Sequence, residues 1–126
     1  MNMRAPLARV RGHGSAKAGA HHWWAQRLSA IALVPLLLWF VVSLTGVVTA
    51  DYATAAAWVR SPYNSALLAL LIGALFYHAQ LGMQVVFEDY ISTPWLQVAS
   101  IILVRFLALL LAVIAIVAVL RIAWGG

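Results

Sequence analysis

Five side chains of this sequence are of types that do chemistry: His78, Asp89, Tyr90, Arg27 and Arg105. Three of them share the stretch Phe76 to Tyr90, FYHAQLGMQVVFEDY. At about 100° per residue, the eleven steps from His78 bring Asp89 back to within roughly 20° of the same helix face. The rise between them is about 16 Å, close to half of a ~30 Å hydrocarbon core. A neutral imidazole at depth is either an axial ligand to haem iron or a hydrogen-bonding group across a helix interface, and both readings stay open. Gly82, one turn along that face, lets a flat macrocycle or another helix approach. At the far end, the Tyr90 phenol is able to donate to a carbonyl oxygen while Asp89 orients it or relays protons, which suits a quinone. The competing reading is a solvated helix end with a belt aromatic, and Glu88 reads as a solvated acid. Arg27 is placed either to pair with carboxylates such as haem propionates or to anchor the chain at the headgroups. Arg105 either snorkels or pairs with a propionate, Asp89 or a partner chain. With one candidate ligand at depth, a six-coordinate haem requires its second ligand from another chain.

The elements that must position these groups lie in a membrane. Of 126 residues, 65% are hydrophobic and 9% charged, with a mean hydropathy of +0.96. Soluble domains carry about 25% charged residues, so the chain falls outside that class. Its length leaves room for a few spans and for no soluble catalytic domain beside them. The absence of cysteine excludes disulfides, cysteine-ligated iron–sulfur clusters and c-type haem attachment within the chain. A formal charge of +5 does not point to nucleic acid, because five of the eight basic residues lie in the first 27 positions. Arg4, Arg9, Arg11, Lys17 and Arg27 stand there without an acidic neighbour, as a topological flank does.

The expected architecture is an all-α membrane protein with three transmembrane helices in a heteromeric bundle. Residues 1–27 form a basic arm ending in HHWWAQR, where His21, His22, Trp23 and Trp24 suit an interfacial belt. Residues 28–126 form the membrane domain, with spans at about 28–50, 64–87 and 96–120. Pro35 is tolerated inside the first span, and 51–63 is expected to be a short loop. Ser92-Thr93-Pro94 starts the third span. The positive-inside rule puts the N-terminus in the cytoplasm and returns Asp89-Tyr90 to the cytoplasmic surface.

Two segments carry a family resemblance: GSAKAGAHHWWAQRLSA (Gly14 to Ala30) and HAQLGMQVVFEDY (His78 to Tyr90). On three spans they resemble the small hydrophobic membrane anchor of succinate dehydrogenase, the D-type subunit of respiratory complex II of alphaproteobacterial type. The second segment is the more specific, since ligand, glycine and Asp-Tyr pair keep a fixed spacing.

That resemblance implies a subunit of an oxidoreductase with no dehydrogenase chemistry of its own. It implies a flavoprotein with FAD, an iron–sulfur subunit with its clusters, and a second membrane anchor (the cytochrome b subunit) as partners. It implies a haem b shared between the two anchors, with His78 as one axial ligand to the iron and Arg27 near the propionates. It also implies ubiquinone bound near Tyr90, with Asp89 as the neighbouring acid, in a bacterial inner membrane. Arg105 receives no role from it. The alternatives are the anchor of a quinol:fumarate reductase and a haem-free structural subunit.

Overall fold

The computed structural model describes the backbone of residues 6–125 and the side chains of residues 19–125. Four helices follow one another: α1 (Pro6–Val47), α2 (Tyr52–Arg60), α3 (Pro62–Tyr90) and α4 (Pro94–Gly125). Three segments are long and apolar enough to cross a membrane: Gly19–Val47, Pro62–Tyr90 and Pro94–Gly125. The expected spans are therefore present, and the last two run a few residues further at both ends. At 1.5 Å per residue, the 32 residues of α4 reach about 48 Å, more than the ~30 Å of the hydrocarbon layer. Helix α1 passes through Pro35 without a break, as a membrane helix can when its surroundings serve the freed carbonyl. It also extends back into the basic flank as far as Pro6. The side chains of Arg4, Arg9, Arg11 and Lys17 lie outside the described residues.

One expectation is corrected. Residues 51–63 are not a loop, because Tyr52–Arg60 form a helix. Asp51 caps it, accepting at Oδ1 from the Thr54 amide at 3.0 Å, and the following Ala53, Ala55, Ala56 and Ala57 are the best helix formers available. Hydrogen bonding from the Thr54 side chain first, and from its amide second, holds the Asp51 carboxyl below the usual carboxylate range. Helix α2 lies against one end of the bundle. Trp58 stacks on Trp39 of α1 with centroids 5.7 Å apart and planes at 20°. Asn64 Nδ2 donates to the Trp58 carbonyl at 2.8 Å, and Arg60 Nε to the Ile122 carbonyl at 3.3 Å.

Among the spans, α3 is the middle one: it packs against both α1 and α4, whose backbones do not approach each other among the described residues, although side chains of both border one cleft beside it. The buried side chains are few, namely Leu33, Ala56, Leu68, Leu71, Leu81 and Ser29. No described residue of α4 is buried. In water such a molecule would have almost no core. In lipid, where outward Leu, Ile and Val cost nothing, the same faces are the expected surface. At the α3–α4 corner, Gln97 Nε2 donates to the carbonyls of Glu88 (3.2 Å) and Ile91 (3.1 Å). It thereby serves carbonyls that the end of α3 leaves without intrahelical partners.

Candidate functional site

The antiparallel pair α1–α3 positions the histidine. His78 sits in the second half of α3, half-buried, and its Nδ1 lies 2.9 Å from Ser29 Oγ on α1. Ser29 is the one buried polar side chain among the described residues, at 8% exposure. Its Oγ also donates to the Gln26 carbonyl, one turn back, at 2.9 Å. The helix-interface reading of His78 is thus met in one respect: one ring nitrogen is tied to a neighbouring span.

The same ring lines a cavity of about 330 Å³ together with Trp23, Gln26, Arg27 and Ala30. Arg27 and His78 therefore face a common space, although they are 51 positions apart in the chain. The Arg27 guanidinium lies over the Trp23 ring, 4.4 Å from its centroid, an arrangement that steadies a cation without neutralising it. Trp23 itself meets Trp24 edge-on at 4.9 Å. On the other side of Ser29, a larger cavity of about 600 Å³ opens between α1 and α3 and is mainly apolar, lined by Trp24, Leu28, Gly73 and Tyr77 among others. A Cβ at Gly82 would meet nothing within 4 Å.

Asp89 and Tyr90 end α3 and are both exposed, Tyr90 at 84%. They stand away from the His78 cavity, as the sixteen-ångström rise requires, and neither lines it. The polar contact network passes instead through their neighbour Glu88. Gln84 Nε2 donates to Glu88 Oε1 at 3.0 Å, and Arg105 Nη2 on α4 donates to Gln84 Oε1 at 2.9 Å. Within the described chain Arg105 does not pair with Asp89: its acceptor is the neutral amide of Gln84, which in turn donates to Glu88. Glu88 is exposed, as a solvated acid is, and in addition accepts from Gln84.

Two further groups carry unmet hydrogen bonding, His22 Nε2 and Gln80 Oε1. Both residues border a cleft of about 380 Å³ that Arg105 and Gln84 also line. Leaving such an atom buried and unpaired costs about 1–3 kcal/mol. Among the described residues there is no cluster of three or more His, Asp or Glu side chains able to hold a metal ion.

Sequence reasoning missed two residues of this site, Ser29 and Gln84. Each is an ordinary polar residue in an apolar span. The signal that would have found them is register: in an antiparallel helix pair, residues whose numbers sum to a constant lie at one level. Ser29 with His78 sets that sum for α1–α3.

Residues 1–120 match the family of the succinate dehydrogenase/fumarate reductase transmembrane subunit. A succinate dehydrogenase hydrophobic membrane anchor subunit from Rickettsia bellii is 39% identical over 118 residues, covering 94% of each chain. The protein of the same description from Rickettsia conorii is 33% identical over 118 residues, covering 93% of this chain and 94% of the relative. A succinate dehydrogenase membrane anchor subunit from Reclinomonas americana is 29% identical over 96 residues, covering 74% of this chain and 80% of its own length. No solved structure matches the chain.

Proposed function

Because the chain belongs to the succinate dehydrogenase/fumarate reductase transmembrane subunit family, we propose that it is the membrane anchor of a succinate dehydrogenase that supplies one axial ligand to a haem b and part of a ubiquinone site. As a multi-pass membrane protein, it contributes binding and position; the oxidation of succinate belongs to its partners. Those are a flavoprotein with FAD, an iron–sulfur subunit, and a second anchor carrying the other axial histidine. The membrane is the bacterial inner membrane.

The observation that carries the haem reading is the shared cavity of His78 and Arg27. The donor set fits the group. One ring nitrogen of His78 is engaged by Ser29, which leaves the other for iron. A guanidinium at the same cavity matches the carboxylates that a haem carries on its edge. The cavity opens at the surface of the chain, and there is room for a Cβ at Gly82, one turn along α3 from His78. Both features agree with a group held between two chains. A haem b bound there supplies reversible one-electron chemistry.

For ubiquinone, the supporting feature is the exposure of Tyr90 at the end of a span, where a phenol meets both lipid and water. There it donates to a quinone carbonyl oxygen, with Asp89 beside it to orient the hydroxyl or pass protons. The test is a dithionite-reduced minus oxidised spectrum of the purified complex, repeated with His78→Ala. A b-type band in the wild type that disappears in the variant supports the reading. Absence of the band in the wild type removes it.

A further inference from the structure

We propose that Ser29 is a positioning residue for His78, holding the imidazole in the tautomer that carries its proton on Nδ1. The inference follows from counting hydrogens. A serine hydroxyl has one proton to donate and lone pairs to accept with. Ser29 Oγ lies 2.9 Å from two atoms, the Gln26 carbonyl oxygen and His78 Nδ1. The carbonyl is only an acceptor, so the serine proton goes there. Nδ1 must then be the donor to Oγ. If instead the hydroxyl donated to Nδ1, two acceptor oxygens, Oγ and the Gln26 carbonyl, would face each other at 2.9 Å with no proton between them. Only one tautomer makes both contacts hydrogen bonds.

The consequence falls on the other ring nitrogen. With the proton on Nδ1, Nε2 keeps its lone pair and is the ligand form of histidine. An N–H donated to a fixed acceptor also raises the basicity of the opposite nitrogen. Ser29 is able to do this because it is buried and its hydroxyl is locked to its own helix, so it neither rotates to water nor offers its proton to the ring. A serine that served merely as glue between α1 and α3 would accept either tautomer. This one selects. The use of the freed Nε2 as an iron ligand rests on the haem reading above, whereas the tautomer itself does not.

The two are separable by experiment. Spectra of the ¹⁵N-histidine-labelled full chain in detergent micelles, with His78→Gln identifying the His78 signals, read the tautomer directly. The expected result is a protonated Nδ1 and a bare Nε2 in the wild type. Ser29→Ala should move the population towards Nε2–H, and Ser29→Thr, which keeps the hydroxyl, should restore it. A wild-type ring protonated on Nε2, or a tautomer unmoved by Ser29→Ala, overturns the proposal. In the purified complex, loss of the acceptor should shift the haem midpoint to higher potential, because a less basic ligand favours the ferrous state. Ser29→Thr should leave it in place, and Ser29→Cys, with its weak acceptor, gives a second reading if the alanine variant does not assemble. Equal midpoints across the series overturn the proposal. A wild-type complex without a b-type band removes the haem reading, while the tautomer result still decides the role of Ser29.

Discussion

Arg105 of α4 and Gln84 of α3 meet through a single hydrogen bond, Nη2 to Oε1 at 2.9 Å, and Gln84 hands the interaction on to Glu88. An arginine eleven residues into a membrane helix thus reaches a carboxylate without touching it. The amide between them has a donor and an acceptor, and it uses the acceptor on the cation and the donor on the anion. A second carboxylate in place of Gln84 would bind Arg105 more strongly but would repel Glu88.

The first prediction concerns this relay. A double-mutant cycle of Arg105→Leu and Gln84→Leu, read by thermal denaturation of the purified complex, should give a coupling of about 0.6 kcal/mol, the average for hydrogen bonds between membrane helices. Additive effects would mean that the contact does not contribute to holding α4 on α3.

Tyr90→Phe removes a hydroxyl from a side chain that is 84% exposed, so stability and assembly should not change. If that hydroxyl donates to ubiquinone, its loss costs about 1.4 kcal/mol at the transition state, a roughly tenfold fall in kcat/KM for quinone. Steady-state kinetics with a quinone analogue measure it, and wild-type kinetics would take Tyr90 out of the site.

Arg27→Ala is expected to act on the haem midpoint with the sign opposite to Ser29→Ala. Removing a positive charge from the cavity disfavours the added electron, so the midpoint should fall. Arg27→Lys keeps the charge and should hold the value nearer to wild type. A potentiometric titration giving the same midpoint for all three proteins would leave Arg27 as a headgroup anchor stacked on Trp23.

Asp51 ties the short helix α2 to pH. Its carboxyl titrates below its ordinary value of 3.8 because the ionised form accepts from Thr54. A depressed folded-state pKa means that the contribution to stability is complete above the unfolded value and is lost as the pH falls through the folded one. Hydrogen-exchange protection factors of the α2 amides, corrected for the intrinsic pH dependence of exchange, should therefore fall below about pH 4 in the wild type. Asp51→Asn, which keeps the cap without the charge, should remove that acid dependence. Identical pH profiles would show that the cap charge has no part in holding α2.

The spans were legible in the sequence because lipid imposes a crude code, about twenty apolar residues per crossing, that packing does not override. The placement of His78 at depth and of Asp89-Tyr90 at a helix end followed from the same code. Helix α2 was hidden by its aromatic and polar residues, which mark an interface without saying whether the backbone there is coiled. The Asp51-to-Thr54 cap and the alanines at 53 and 55–57 were the available signal. The Ser29–His78 contact joins residues 49 positions apart and depends on the register of two helices. Hydropathy carries no information on register. The partner of Arg105 was out of reach for the same reason, and in addition because a glutamine is not the partner that charge alone would suggest.

Helix α3 holds both α1 and α4, whose backbones do not approach each other among the described residues. With few buried side chains and no described residue of α4 among them, this chain on its own is closer to a half-finished wall than to a folded bundle. Its lifetime in a cell should then depend on how quickly another subunit covers it. Expressed without its partners, it should be cleared by membrane proteases. In cells with the full set, its amount should follow that of the scarcest companion, so that stoichiometry is kept by degradation of the excess. The chain would then be a gauge of assembly as well as one of its parts.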